Sequence, residues 1–431
     1  MSLSIPQTTG YKQSSLIYPA LFFFFLTLSM DCLRVNVGFL KFKITHAVAS
    51  LFFLFVLFYV RKLVIPKGVL FIAVMIFSSL ALSCVAGGCT LSSSPYLLAY
   101  LFNLCVYFLV PFSIVLLFDH EKIFKIYFFS FIIIGICACV QLIASCYGFS
   151  GPFTHQFIIL GSKVVTRPDA FAEEPSFYAL YMTSFVMFYN TKSILNNSLY
   201  LKNILFCNLL LLISTTTGSI AAYFFYAFIL IFFSFFIKQI KAKHILIPPL
   251  VSLIFLLSVF FIFNNVFTAV IAKHFYSKGS HESFSIRITS IYDNLAIFCD
   301  HPWLGIGLGN IGPYLYEQKV LGSPIVLNIT QEQWITYAPS CFIPEMLASL
   351  GFVGCIALTI FAIYLVCLVK KAYAFCKEES EKNFLLALFI SLVVVLCEMQ
   401  INQGLFRSYI WVHIALLIGL CYKTISKYSK I

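Results

Sequence analysis

The sequence predicts an all-α, polytopic integral membrane protein of about 12 transmembrane helices, with both termini cytoplasmic and two longer loops on the far side. Three observations predict it. Hydrophobic residues make up 61% of the 431 and charged residues 10%, with a mean hydropathy of +0.97. Soluble domains average about half apolar and a quarter charged. Apolar stretches long enough to cross a bilayer, at about 20 residues each, recur along the whole chain, and Lys and Arg gather in alternate connections between them. A soluble enzyme with one anchor, a β-barrel of alternating strands and a disordered scaffold are all excluded. The net charge of +12 would raise nucleic-acid binding in a soluble protein; here membrane orientation accounts for it first.

The first stretch, 15–32, follows Lys12 and is followed by Ser29-Met30-Asp31-Cys32-Leu33-Arg34 rather than by a small-residue cleavage site, so it reads as an uncleaved span. Further stretches fall at 44–62, 68–87, 96–118, 123–147, 176–190, 203–217, 218–237, 245–264, 341–369, 383–400 and 405–422. The pair at 203–237 is divided only by Thr215-Thr216-Thr217-Gly218-Ser219. Counting it as two spans places 18 of the 28 Lys and Arg in the connections on the side of the termini. Merging it would reverse every later loop and spoil the charge pattern, so twelve is the expected number. The whole chain is then one membrane domain with loops at 148–175 and 265–340. Most of the 15 cysteines sit in apolar runs, where a thiol behaves as a small hydrophobe. None has zinc-ligand spacing, and only Cys299 and Cys341 share a loop in which they could pair.

The first long loop ends Arg167-Pro168-Asp169-Ala170-Phe171-Ala172-Glu173-Glu174-Pro175-Ser176. Pro175 suits the first turn of a helix, and Glu173 and Glu174 then stand at its positive end. Either the glutamates cap that helix while Arg167 pairs with one of them, or Arg167 clamps an anion and a glutamate handles a proton. In the second loop, Phe284, Ile288, Ile291, Leu295 and Phe298 form one apolar stripe at helical spacing, with Arg287, Ser290 and Asn294 on the opposite, polar face. Such a helix would lie on the membrane surface or pack over the bundle.

His301-Pro302-Trp303-Leu304-Gly305-Ile306-Gly307-Leu308-Gly309-Asn310 follows directly. Its glycines lack dinucleotide-binding spacing and a βαβ context, while a phosphate or sugar contact through the backbone stays open. His301 is a candidate proton carrier. Arg407 is a further outside-facing cation, flanked by Gln400, Asn402 and Gln403. Guanidinium groups bind phosphate oxygens bidentately and stay charged. Arginines on outward loops with nearby glutamates therefore suit an anionic, lipid-borne substrate with a diphosphate as leaving group.

The run Arg-x-x-x-Phe-x-Glu-Glu-Pro-Ser before a span, the helix bearing Arg287, His-Pro-Trp-x-Gly-x-Gly-x-Gly-Asn, and Pro344-Glu345-Met346-Leu347-Ala348-Ser349-Leu350-Gly351-Phe352-Val353-Gly354 together resemble the O-antigen polymerase and ligase superfamily. The resemblance implies a glycosyltransferase of the bacterial inner membrane, working on the periplasmic face with undecaprenyl-diphosphate-linked glycans as donor and acceptor. No metal, cofactor or nucleotide sugar is implied; the implied partners are the lipid bilayer and a chain-length regulator, with no nucleic acid. By the same resemblance Arg167 and Arg287 match the loop arginines that engage the donor diphosphate. Ligases of the family carry a histidine before the late span; here the stretch reads Tyr337-Ala338-Pro339-Ser340-Cys341-Phe342. That departure favours a polymerase of O-antigen or capsular repeat units and leaves Glu174 and His301 as candidate general bases. Arg407 and Glu173 complete the expected substrate-binding set. The alternatives are an O-antigen ligase acting on lipid A core and a flippase for the lipid-linked unit. A flippase should carry charges inside its spans, whereas the ionisable groups here are expected at the outer boundary and in loops.

Overall fold

The computed structural model describes residues 16–37, 40–60, 63, 65–88, 94–147, 157–160, 163–166, 168–196, 201–214, 216–237, 250, 278–320, 341–401 and 407–428. Over these it is a helical membrane bundle. Helix α1 (Ile17–Leu26) ends in a 3₁₀ turn at Thr27–Ser29, and α2 (Ile44–Val60) and α3 (Lys67–Ala86) follow. A broken helix comprises α4 (Ser94–Phe102), a π segment (Asn103–Leu109) and α5 (Val110–Leu117). Then come α6 (His120–Cys146), α7 (Pro175–Leu195), α8 (Leu201–Leu212) and α9 (Thr217–Ser234). The second half holds α10 (Lys278–Asp300), the short α11 (Ile311–Leu315), α12 (Phe342–Phe375), α13 (Glu379–Glu398) and α14 (Ser408–Tyr428).

Six helical segments among the described residues are long and apolar enough to cross a membrane: α3, the α4–α5 unit, α6, α12, α13 and α14. Helices α1, α2, α8 and α9 are apolar but shorter. Of the expected span at 245–264, only residue 250 is among the described residues.

Two antiparallel hairpins depart from the all-helical expectation: β1 (Arg34–Val37) with β2 (Leu40–Lys43), and β3 (Phe157–Leu160) with β4 (Lys163–Thr166). Both occupy loops at helix ends, where the chain must reverse within a few residues.

Local causes are readable in several elements. Asp119 accepts the Glu121 amide at 3.0 Å and starts α6. Pro111 has no N–H to return to Tyr107 and its ring crowds that carbonyl, which accounts for the π-helical widening just before it. Helix α7 is the hub: Tyr178, Tyr181, Phe185 and Phe188 are fully buried, and it packs on α13, α8 and α9. Rings on α6 lie against it, with Phe131–Tyr181 and Phe128–Phe188 centroids each 4.2 Å apart. Deeper in the bundle Asn190 and Asn208 exchange reciprocal amide hydrogen bonds of 3.1 Å, and the Tyr223 hydroxyl donates to Asn208 Oδ1 at 2.6 Å. Interhelical hydrogen bonds of this kind hold helices together where the surrounding lipid supplies no hydrophobic drive.

Candidate functional site

One end of the bundle gathers charge. The turn after α1 presents Asp31, the first residue before α2 is Lys43, the approach to α7 carries Glu173, and Arg407 precedes α14. Asp31 Oδ2 lies 2.5 Å from Arg407 Nη1, and Asp31 Oδ1 lies 2.8 Å from Lys43 Nζ. Glu173 Oε2 stands 3.7 Å from Arg407 and 3.9 Å from Lys43. The guanidinium carbon of Arg407 sits 3.4 Å from the Phe177 ring centroid. Side chains on neighbouring helices fix the backbone beneath this quartet. Thr45 Oγ1 donates to the Thr27 carbonyl at 2.9 Å, and Ser408 Oγ donates to that of Leu28 at 3.0 Å. Burial alone would raise the Asp31 carboxyl, but Arg407 and Lys43 together hold it below the usual carboxylate range.

The segment leading to Glu173 is pinned and strained. Gln141 Oε1 on α6 accepts the amides of Asp169 (3.2 Å) and Ala170 (2.8 Å), and its Nε2 donates to buried Asp169 Oδ1 at 3.1 Å. Ala170 and Phe171 both have positive φ, 46° and 73°, an uncommon conformation for residues with a Cβ. The Phe171 carbonyl accepts the Cys32 amide at 3.0 Å, joining this segment to the Asp31 turn. Glu174 is exposed; its backbone forms the N-cap of α7 with Pro175 in the first turn, and its carboxylate accepts from Ser176 Oγ at 3.0 Å. Arg167 lies outside the described residues.

Arg287 belongs to the neighbouring module. Helix α10 forms where its periodicity predicts, but its faces are turned the other way from an amphipathic surface helix. Ser290 and Asn294 are fully buried, while Ile288 and Leu295 of the apolar stripe are 38% and 39% exposed. The side chain of Phe284 lies outside the described residues. In a membrane this is the favourable arrangement: lipid takes the apolar stripe and protein takes the polar face. Helix α10 packs on α12, and half-buried Arg287 lies within electrostatic reach of Cys341 at the start of that helix, as does Glu345. Burial pushes the Cys341 thiol up, opposed by the Arg287 guanidinium and reinforced by the Glu345 carboxylate.

The glycine-rich loop and the late Leu350-Gly351-Phe352-Val353-Gly354 element form one structure. Helix α12 breaks at Gly351, with φ 61° and ψ −162°. Into the break the loop lays its backbone: Ile306 and Gly307 donate to the carbonyls of Ala348 (3.0 Å) and Ser349 (2.9 Å). Phe352 and Val353 donate to those of Pro302 (2.8 Å) and Trp303 (3.1 Å). A Cβ on Gly351 would collide with the Trp303 backbone, so both the dihedral and the close approach require glycine here. Asn310 Nδ2 closes the loop on the Ile306 carbonyl at 2.7 Å, and Ser83 on α3 donates to the Ser349 carbonyl. The Ile306 and Gly307 amides are therefore engaged within the fold, which removes them as donors to a phosphate or sugar.

His301 is exposed beyond the C-terminal end of α10, edge-on to Tyr314 with 5.5 Å between centroids. Fourteen residues of helix separate it from Arg287, about 21 Å along the axis at 1.5 Å per residue. One reacting atom does not touch both. Cys299 and Cys341, which share a loop in the sequence, are each free, the first exposed and the second buried.

The two charged modules sit at the same end of the bundle. The opening amides of α12 are satisfied by the end of α13: Phe342 donates to the Met399 carbonyl at 3.3 Å and Ile343 to Gln400 Oε1 at 3.1 Å. Asp31, Lys43 and Glu345 are participants that sequence reasoning did not single out. The available signal was their position, isolated charges at the edges of apolar stretches. Ionisable groups are also found within the bundle, contrary to the expectation that they keep to its boundary. Glu398 and His413 are fully buried on α13 and α14, because burial among helices rather than lipid contact makes such groups tolerable. The His413 ring is held by Tyr127 Oη at 3.2 Å and Ser391 Oγ at 3.1 Å.

No curated protein matches the chain. Residues 203–359 match the family model described as O-antigen ligase. The matched stretch runs from α8 through the Arg287 helix and the glycine loop to just beyond the Gly351 break. It thus contains the α10–loop–α12 module and leaves out Glu173, Glu174 and Arg407. The matched residues are just over a third of the chain; taken with the apolar helices, they support a likeness to the O-antigen polymerase and ligase superfamily.

Proposed function

We propose that the chain is a polymerase that joins undecaprenyl-diphosphate-linked repeat units of O-antigen or capsule at the periplasmic face of the inner membrane. The observation that carries this reading is Arg287. It stands on a helix whose polar face is turned into the bundle, within electrostatic reach of Cys341 and inside the stretch that matches the family model. In this reading a hydroxyl of the incoming repeat attacks the anomeric carbon of the growing chain, and undecaprenyl diphosphate leaves with its charge held by Arg287 and Arg167. Preorganised cations of this kind stabilise charge as it develops on the leaving group. The Asp31–Lys43–Glu173–Arg407 quartet positions the mouth of the site, and Glu174 and His301 are the groups to test as general base.

The absence of histidine from the 337–342 stretch favours polymerase over ligase, whereas the description of the matched family model favours ligase. A deletion strain separates the two. Loss of a polymerase leaves lipid A core capped by a single repeat, and loss of a ligase leaves long polymer unattached to core. Long-chain polysaccharide of normal modal length on the core would overturn both.

A further inference from the structure

The opposite end of the bundle holds a cleft of about 280 Å³, enclosed by the first turns of α6 and α13 and the last turns of α7 and α14. Helix α13 alone, 20 residues long, separates it from the charged modules by about 30 Å. Four rings form its apolar floor. Phe128 and Phe188 stack at 4.2 Å, and Phe384 meets Phe188 at 5.0 Å and Phe124 at 4.9 Å. Lys192 lies over this floor, its Nζ 5.3 Å from the Phe384 centroid and 5.9 Å from that of Phe188. Lys125 lines the same cleft one turn beyond Glu121.

The carboxylates nearby do not neutralise these lysines. Glu381 is matched by Lys427 at 2.6 Å and accepts from Tyr428 at 3.0 Å. Asp119 caps α6 and stands 4.0 Å from Lys122. Lys423 turns away to the Val115 carbonyl at 2.9 Å and that of Phe118. Among the described residues, neither Lys125 nor Lys192 is within salt-bridge distance of a carboxylate, which leaves two lysines against Glu121. An excess positive charge beside an aromatic floor, at the level where apolar helices give way to lysines, suits an anion that carries an apolar body. A soluble anion would leave the rings uncovered. The volume admits a headgroup and glycerol but not two acyl chains, which would remain in the bilayer.

We propose that this cleft binds the phosphodiester headgroup of an anionic phospholipid from the adjacent leaflet. Basic pockets between transmembrane helices are known headgroup sites, and each lysine near the membrane surface contributes on the order of 1 kcal/mol, a factor of about five. The inference does not depend on the glycosyl-transfer reading.

Native mass spectrometry of the full-length protein, delipidated and titrated with phosphatidylglycerol, phosphatidylcholine or glycerol phosphate, tests it. Retention of phosphatidylglycerol should exceed that of phosphatidylcholine, and should fall about fivefold in Lys192→Gln and about 25-fold in Lys125→Gln/Lys192→Gln. Lys377→Gln, an exposed lysine at the same end but outside the cleft, should bind as wild type. If the double variant does not fold, Lys125→Gln alone at an exposed position should still show about a fivefold loss. Equal retention by the wild type and the cleft variants overturns the proposal, as does equal retention of the zwitterionic lipid. Glycerol phosphate competing as strongly as the lipid overturns it in favour of a soluble anion.

Discussion

Arg287 and Arg407 lie at the same end of the bundle and carry the same side chain, yet their surroundings differ. Arg407 is 15% exposed, lies against Phe177, and is held by Asp31 at 2.5 Å and Glu173 at 3.7 Å. Its charge is answered from within the protein. Arg287 is also half-buried but, among the described residues, has no carboxylate within salt-bridge distance; Glu345 is near enough to share its influence on Cys341. A cation with internal partners serves the fold, whereas under the proposed function Arg287 is the one left to an external anion.

The sharpest way to break this comparison is to remove the internal partner set. Arg407→Met should destabilise by about 3–5 kcal/mol, because Asp31 would remain buried with only Lys43; thermal unfolding in detergent checks it. An unchanged midpoint would show that the quartet is not a structural ion cluster. Gly351→Ala comes next, at about 3 kcal/mol from backbone strain and collision with Trp303. It should release the glycine loop and expose the Ile306 and Gly307 amides to hydrogen exchange.

Arg287→Lys should lower polymer formation by about 100-fold, near 2.7 kcal/mol, with the unfolding midpoint unmoved. The readout is the ratio of long-chain to single-repeat product from lipid-linked donor. If activity survives, a point charge suffices and the bidentate diphosphate clamp is wrong.

The smallest effect is pH-dependent. The Asp31 carboxyl is depressed in the folded state, so its stabilisation is complete above the unfolded value of about 3.9 and is lost as pH falls through the lower folded value. Asp31→Asn should therefore flatten the acid limb of the stability curve below about pH 4 and leave the slope from pH 5 to 7 unchanged.

Much of the fold was legible because lipid imposes a simple rule on composition. The stretches at 44–62, 68–87 and 123–147 coincide with α2, α3 and α6 within a few residues, and Pro175 opens α7 as its chemistry requires. The helix around Arg287 was equally readable from periodicity. Its orientation was not, since periodicity identifies two faces without saying which of them meets lipid. Glu173 was legible as a charge at a helix start but not as the partner of Arg407, and the Asp31–Arg407 pair joins residues 376 apart. Nothing local in either residue announces the other. The hairpins escaped for a related reason: four-residue strands at helix ends carry too little pattern to compete with the apolar stretches around them.

The sequence by itself determined that the chain is a helical membrane protein and where most of its helices lie, because span-length apolar runs are a one-dimensional property that the bilayer reads directly. It also named the glycine loop and the Gly351 element. Only the tertiary structure decided that these two pack backbone to backbone, that the polar face of α10 turns inward, and that Arg407 is neutralised by Asp31 and Glu173 while Arg287, among the described residues, has no carboxylate within salt-bridge distance. Those outcomes depend on which helix ends meet in three dimensions, and the pairing of distant charges and amides is settled by packing rather than by local pattern.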